Sequence, residues 1–151
     1  MYKKMLVPLD ASEYAECTLE HVKELVAAHG VSDVVLLTVM EPPRSAAISY
    51  MGTDKLEELN KSAHESAIAY LEEAKARLAL AADVKTAVVG ALAADGILSY
   101  AGKNGVDVIV MSTHGRSGPS KWFIGSVAEK VLQRSPVPVF LIPSLSCRLT
   151  G

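Results

Sequence analysis

Short apolar runs alternate with stretches whose apolar residues recur every three to four positions, and the alternation continues to residue 142. Met5-Leu-Val-Pro-Leu9 is an apolar run closed by Asp10 and predicts a first strand. Ser12 then predicts a helix cap, with Glu13 and Glu16 well placed in the first turns and Ala15, Leu19, Val22, Leu25 and Val26 at helical spacing. Gly30 predicts the stop. Val34 to Val39 is continuously apolar and reads as a strand buried on both faces. Glu41 to Thr53 carries Pro42, Pro43 and Gly52 and reads as an irregular loop, the longest in the chain. A long helix begins at Asp54, with Leu56, Leu59, Ala63, Ala67, Leu71, Ala74 and Leu78 on one stripe. Val84 to Val89 fits a third strand, Asp95 to Ala101 a short helix, and Val106 to Met111 a fourth strand. Ser126 to Gln133 predicts the last helix and Val137 to Ile142 the fifth strand.

Five strands alternating with four helices predict an α/β fold, an open twisted parallel sheet wound on both faces with right-handed crossovers. One domain is expected over residues 1–143, followed by a tail, 144–151, with no clear pattern. In such sheets ligands bind beyond the carboxyl ends of the strands, where the winding reverses. That directs attention to Asp10, Val39, Met40, Gly90 and the residues from Ser112 onward.

Composition narrows the picture. The 151 residues suffice for one domain with a full core. Aromatic residues are only 5% while hydrophobic residues reach 50%, so Val, Leu, Ile and Ala must fill that core. A net charge of −2 provides no basic field for nucleic acid, and no segment is long and apolar enough for a membrane span. Cys17 and Cys147 lack CxxC spacing and read as two reduced thiols. With no secretory leader pattern at the start, the expected compartment is the cytoplasm.

The chemistry concentrates after the fourth strand, in Met111-Ser-Thr-His-Gly115-Arg-Ser-Gly118-Pro-Ser-Lys-Trp-Phe-Ile-Gly125-Ser126-Val127. Small polar residues, glycines and two cations lead from a strand end into a helix start. Gly125 permits close approach of a ligand, and Ser126 is expected at the helix cap with free amides behind it, an arrangement that attracts anions. Arg116 and Lys121 add positive charge. Taken alone, Gly125-Ser126 is an ordinary serine-capped turn; the whole cluster at a strand end favours phosphate. There is no G-x-x-x-x-G-K-[ST], and the first turn, Leu9-Asp-Ala-Ser-Glu13, lacks G-x-G-x-x-G. His114 is a candidate general base, although packing within the turn is the plainer reading. His21, His29 and His64 form no metal-ligand spacing.

These motifs resemble the universal stress proteins of the nucleotide-binding kind. Their pattern after strand four is G-x2-G-x9-G-[ST]; here Ser112-Thr-His-Gly115, nine residues, then Gly125-Ser126 match in spacing, with Ser112 in place of the first glycine. Val7-Pro-Leu-Asp10-Ala-Ser12 and Ser126-Val-Ala-Glu-Lys-Val-Leu132 also fit, and the resemblance spans residues 2–143. It implies a Rossmann-like sheet of order 3-2-1-4-5, with two helices on each face. It also implies adenine held by Asp10 and Val39 and lined by Pro8 and Leu9. Gly115 and Gly125 would face the phosphates, Ser126 and Val127 would bind them, and Met111, Ser112 and Arg116 would complete the set. The implied ligand is ATP or another adenine nucleotide, with Mg²⁺ carried on its phosphates. The implied role is a nucleotide-dependent switch in stress signalling, read by a partner not yet identified, in a homodimer joined through Val137 to Ile142. A slow ATP hydrolase or phosphotransferase ranks second, because no acidic metal-holding motif lies beside the loop. A dimeric interaction module without nucleotide ranks third.

Overall fold

The computed structural model describes residues 1–114 and 124–143. In chain order the elements are β1 Lys4–Pro8, α1 Glu13–His29, β2 Asp33–Met40, α2 Ser45–Met51 and α3 Thr53–Leu78. They continue with β3 Asp83–Gly90, α4 Ala93–Lys103, β4 Val108–Ser112, α5 Ser126–Arg134 and β5 Val139–Ile142. Every strand pair is parallel, and the order is β3-β2-β1-β4-β5, as the resemblance implies.

Local chemistry explains most boundaries. The Ser12 hydroxyl accepts from the Ala15 amide at 3.2 Å and starts α1. Gly30, at φ +63°, ends it with its own amide on the Val26 carbonyl. Alternate residues of the strands point to opposite faces. Met5, Val7, Val34, Leu36, Val108 and Val110 pack under α1 and α3, which contribute Leu19, Val22, Leu71, Ala74 and Leu78. Leu6, Val35, Leu37, Ile109 and Met111 pack under α4 and α5 through Ala94, Ile97, Ala101, Ala128 and Val131. A strand buried on both faces needs apolar residues throughout, which is why Val34 to Leu37 is unbroken. Each such side chain contributes about 1.5–3 kcal/mol by leaving water.

Several elements depart from what the sequence predicts. The segment after β2 is not wholly irregular: α2 occupies Ser45–Met51. It buries no residue, so it has no apolar stripe to announce it, and Pro42, Pro43 and Gly52 merely bracket it. The stripe on α3 is buried only at its ends, at Leu56 and from Leu71 onward, while Leu59, Ala63 and Ala67 stay outside the core. Strand β5 begins at Val139, two residues later than expected, because Pro136 and Pro138 lie in the approach to it. Cys17 is disulfide-bonded rather than a reduced thiol, and Cys147 lies outside the described residues.

At the amino ends of the central strands, Asp107 ties β1 to β4. Its Oδ2 accepts from the backbone amides of Lys3 and Lys4, each at 2.9 Å. The Lys4 and then the Lys3 amide hold this carboxyl below the usual carboxylate range. A depressed folded pKa stabilises the fold above the unfolded pKa, and that stability is lost as pH falls through the folded value. Asp107→Ala is therefore expected to lower the melting temperature at neutral pH by about 2–4 °C. The gap to the wild type should close as the pH drops below the carboxylate range. Melts across pH check this, and a gap independent of pH would contradict it.

Candidate functional site

Strand β1 pairs with β2 on one side and β4 on the other, so the winding reverses between β1 and β4. A cleft of about 590 Å³ opens at their carboxyl ends. That is within the range of small-molecule sites. The first wall of the cleft is Pro8, Leu9 and Asp10 from the end of β1. Val39 and Met40 come from β2, Met111 and Ser112 from β4, and Gly125, Ser126 and Val127 from the start of α5. Pro8, Leu9, Asp10, Val39, Met111, Ser112, Gly125, Ser126 and Val127 thus meet in one place although the sequence separates them by up to 119 positions. Gly115 and Arg116 lie outside the described residues, as do Gly118, Lys121 and Trp122.

The β1 end is shaped by a tight turn. Asp10 Oδ1 accepts from the Ser12 amide at 3.0 Å, and Ala11 between them takes φ +63°, a left-handed conformation that strains a residue with a Cβ. The Thr38 hydroxyl donates to the Leu9 carbonyl at 3.0 Å and fixes the β1 end against β2. Opposite, the Thr113 carbonyl accepts from the Gly125 amide at 2.7 Å, so β4 and the start of α5 are clamped together. Gly125 has φ −58°, which any residue adopts. Its need for glycine is steric: a Cβ there would lie 2.7 Å from the Thr113 oxygen. The Ser112 hydroxyl donates to the His114 carbonyl at 2.6 Å, so the serine in place of the family glycine holds the turn.

His114 packs as the plainer reading expects. Its Nδ1 lies 2.9 Å from the Thr113 hydroxyl, its Nε2 is buried without a partner, and its ring tilts against Tyr14. His114 also lines the cleft, with Nδ1 engaged by the Thr113 hydroxyl.

Three helices start on this cleft, and they differ in how their free amides are covered. Ser12 caps α1, and the Glu41 carboxylate reaches the Ala93 amide of α4 at 3.3 Å. The cap of α5 is Gly125 and not Ser126 as expected, and no described side chain forms a hydrogen bond over it. Its first intrahelical bond runs from the Glu129 amide to the Gly125 carbonyl. The amides of Ser126, Val127 and Ala128 therefore have no partner within the helix, and with the dipole they make the positive point of the cleft. Among the described residues no group of three His, Cys, Asp or Glu side chains could hold a metal ion. No described helix is long and apolar enough to cross a membrane.

Sequence reasoning missed Glu41 and Ala93, and also Asn60 and Ala63 on α3. Glu41 follows directly on the β2 strand end, a signal that was available. Asn60 and Ala63 had none, since only the placement of α3 over the cleft reveals them.

A family model described as the Universal stress protein family matches residues 1–143. The curated universal stress protein MJ0577 of Methanocaldococcus jannaschii is 32% identical, over 94% of this chain and 95% of its own. The solved structure of MJ0577 superposes with a TM-score of 0.81 at 33% identity, covering 95% of this chain and 96% of its own. A universal stress protein from Archaeoglobus fulgidus, solved in complex with dAMP, shares the fold at a TM-score of 0.58 and 21% identity, over 93% of this chain and 98% of its own.

Proposed function

The chain belongs to the universal stress protein family, and from that premise we propose that it binds an adenine nucleotide, ATP, in the cleft between β1 and β4 and acts as a nucleotide-dependent switch in stress signalling. The observation that carries this reading is the start of α5, whose amides no described side chain covers. Ser12 caps α1 and Glu41 reaches the first amide of α4, whereas no described side chain covers the start of α5, and such a start attracts phosphate. The phosphates lie there, against the amides of Ser126 and Val127 and the Ser126 hydroxyl. The base lies toward Asp10 and Val39, with Pro8 and Leu9 beneath it and the ribose beside Met111 and Ser112. Gly115 and Arg116, which complete the proposed phosphate contacts, lie outside the described residues. Mg²⁺ rides on the phosphates. The adenine nucleotide in the dAMP complex of the Archaeoglobus fulgidus protein supports the choice of base.

The protein works as a cytoplasmic homodimer joined through the β5 edge, and an unidentified partner reads its occupancy. Ser126→Ala is expected to weaken ATP binding by about 1 kcal/mol, one hydrogen bond, because the helix amides remain. Calorimetric titration of the variant checks this. An affinity equal to the wild type would remove the hydroxyl from the site, and a complete loss would show that it does more than donate one bond.

A further inference from the structure

We propose that Asn60 on α3 is a specificity-determining residue that reads the N6/N7 edge of the adenine, with Ala63 one turn further on forming the wall beside it. This rests on the nucleotide reading above. α3 has 26 residues and spans about 39 Å, whereas β3 beside it has 8 residues and spans about 27 Å. The helix runs back from the carboxyl end of β2 to the amino end of β3, so its excess length overhangs the carboxyl edge of the sheet. Burial follows that geometry. Leu71, Ala74 and Leu78 are packed on the sheet, Leu56 is buried at the far end, and no residue from 57 to 69 is buried.

The overhang stands at the β2 side of the cleft, and Asn60 and Ala63, three residues apart on one helix face, line it. α5 stands at the other side, against β5. A nucleotide with its phosphates on α5 therefore brings its base under α3. Asn60 is exposed, and no described residue holds its carboxamide by a hydrogen bond. A carboxamide offers a donor and an acceptor together. Adenine presents the matching pair, the N6 amino donor and the N7 acceptor, while guanine presents two acceptors on that edge. Ala63 is small enough to leave room for a flat ring.

The test compares ATP with 7-deaza-ATP, in which a C–H replaces N7, in the wild type and in Asn60→Ala. The wild type is expected to bind ATP about fivefold more tightly, the value of one hydrogen bond. Asn60→Ala should bind both equally, near the wild-type affinity for 7-deaza-ATP, with an unchanged melting temperature of the nucleotide-free protein. Ala63→Leu should weaken both nucleotides alike by filling the space of the base. A wild type that binds ATP but does not discriminate, or an Asn60→Ala protein that still does, would overturn this inference and leave the proposed function standing. A wild type that binds neither nucleotide would remove both.

Discussion

Gly125→Val is expected to abolish ATP binding, with a loss of affinity of about a hundredfold or more, the worth of two hydrogen bonds to a charged group. The atom a side chain would meet is the Thr113 carbonyl oxygen, 2.7 Å from the position of a Cβ. That carbonyl is backbone, it already accepts the Gly125 amide, and the Thr113 amide is itself bonded to the Ile142 carbonyl at 3.0 Å. It has nowhere to move. The start of α5 must swing away from β4, and the amides of Ser126, Val127 and Ala128 leave the cleft with it. The same clash should destabilise the fold by about 1–3 kcal/mol, the usual range for overpacking. Two readouts keep the effects apart: a cooperative melt shows that the variant folds, and equilibrium dialysis with labelled ATP reports the affinity. A folded Gly125→Val protein that binds ATP as tightly as the wild type would end the assignment of the phosphates to α5.

Phe140→Glu is expected to convert a dimer into a monomer. β5 pairs with β4 along one edge, and its other edge has no strand beside it among the described residues. The strand is Val139-Phe-Leu-Ile142, of which Ile142 alone is buried. An apolar edge of this kind invites pairing with a second chain. Phe140 is 37% exposed and touches Tyr2 edge-on, with ring centroids 6.2 Å apart, so an aromatic surface continues from the edge onto the face that carries α1. A two-fold contact presents the same strand from both protomers, antiparallel. A carboxylate at residue 140 then enters the contact from both sides at once, and like charges across a strand pair repel. Light scattering of the wild type at micromolar concentration is expected to give about twice the 16.0 kDa of the chain, and the variant the single-chain mass. A wild type of single-chain mass would contradict the dimer.

The parts of this molecule that bury apolar surface were legible in the sequence, because burial imposes a period. The two-sided strand β2 and the Ser12 and Gly30 ends of α1 follow from residues in place. What burial does not impose was hidden. α2 packs nothing beneath it, and the middle of α3 keeps an apolar stripe although it overhangs the sheet. Leu59 is 48% exposed there, so periodicity alone overestimates the core. The cap of α5 shifted by one residue because Ser126 looks like a cap, whereas the close approach of the Thr113 carbonyl demands that Gly125 fill that position. In the cleft, residues at strand ends were found from topology. Asn60 and Ala63 depend on how far a helix extends past a sheet, which no local pattern encodes.

The cleft between β1 and β4 is expected to take one adenine nucleotide with its phosphates on α5. Calorimetric titration of ATP with Mg²⁺ into nucleotide-free wild-type protein tests it most directly. The expected result is saturable binding of one nucleotide per chain, with ATP bound more tightly than adenosine because the phosphates reach the α5 amides. Absence of any binding heat at millimolar ATP, or equal affinity for ATP and adenosine, would contradict it.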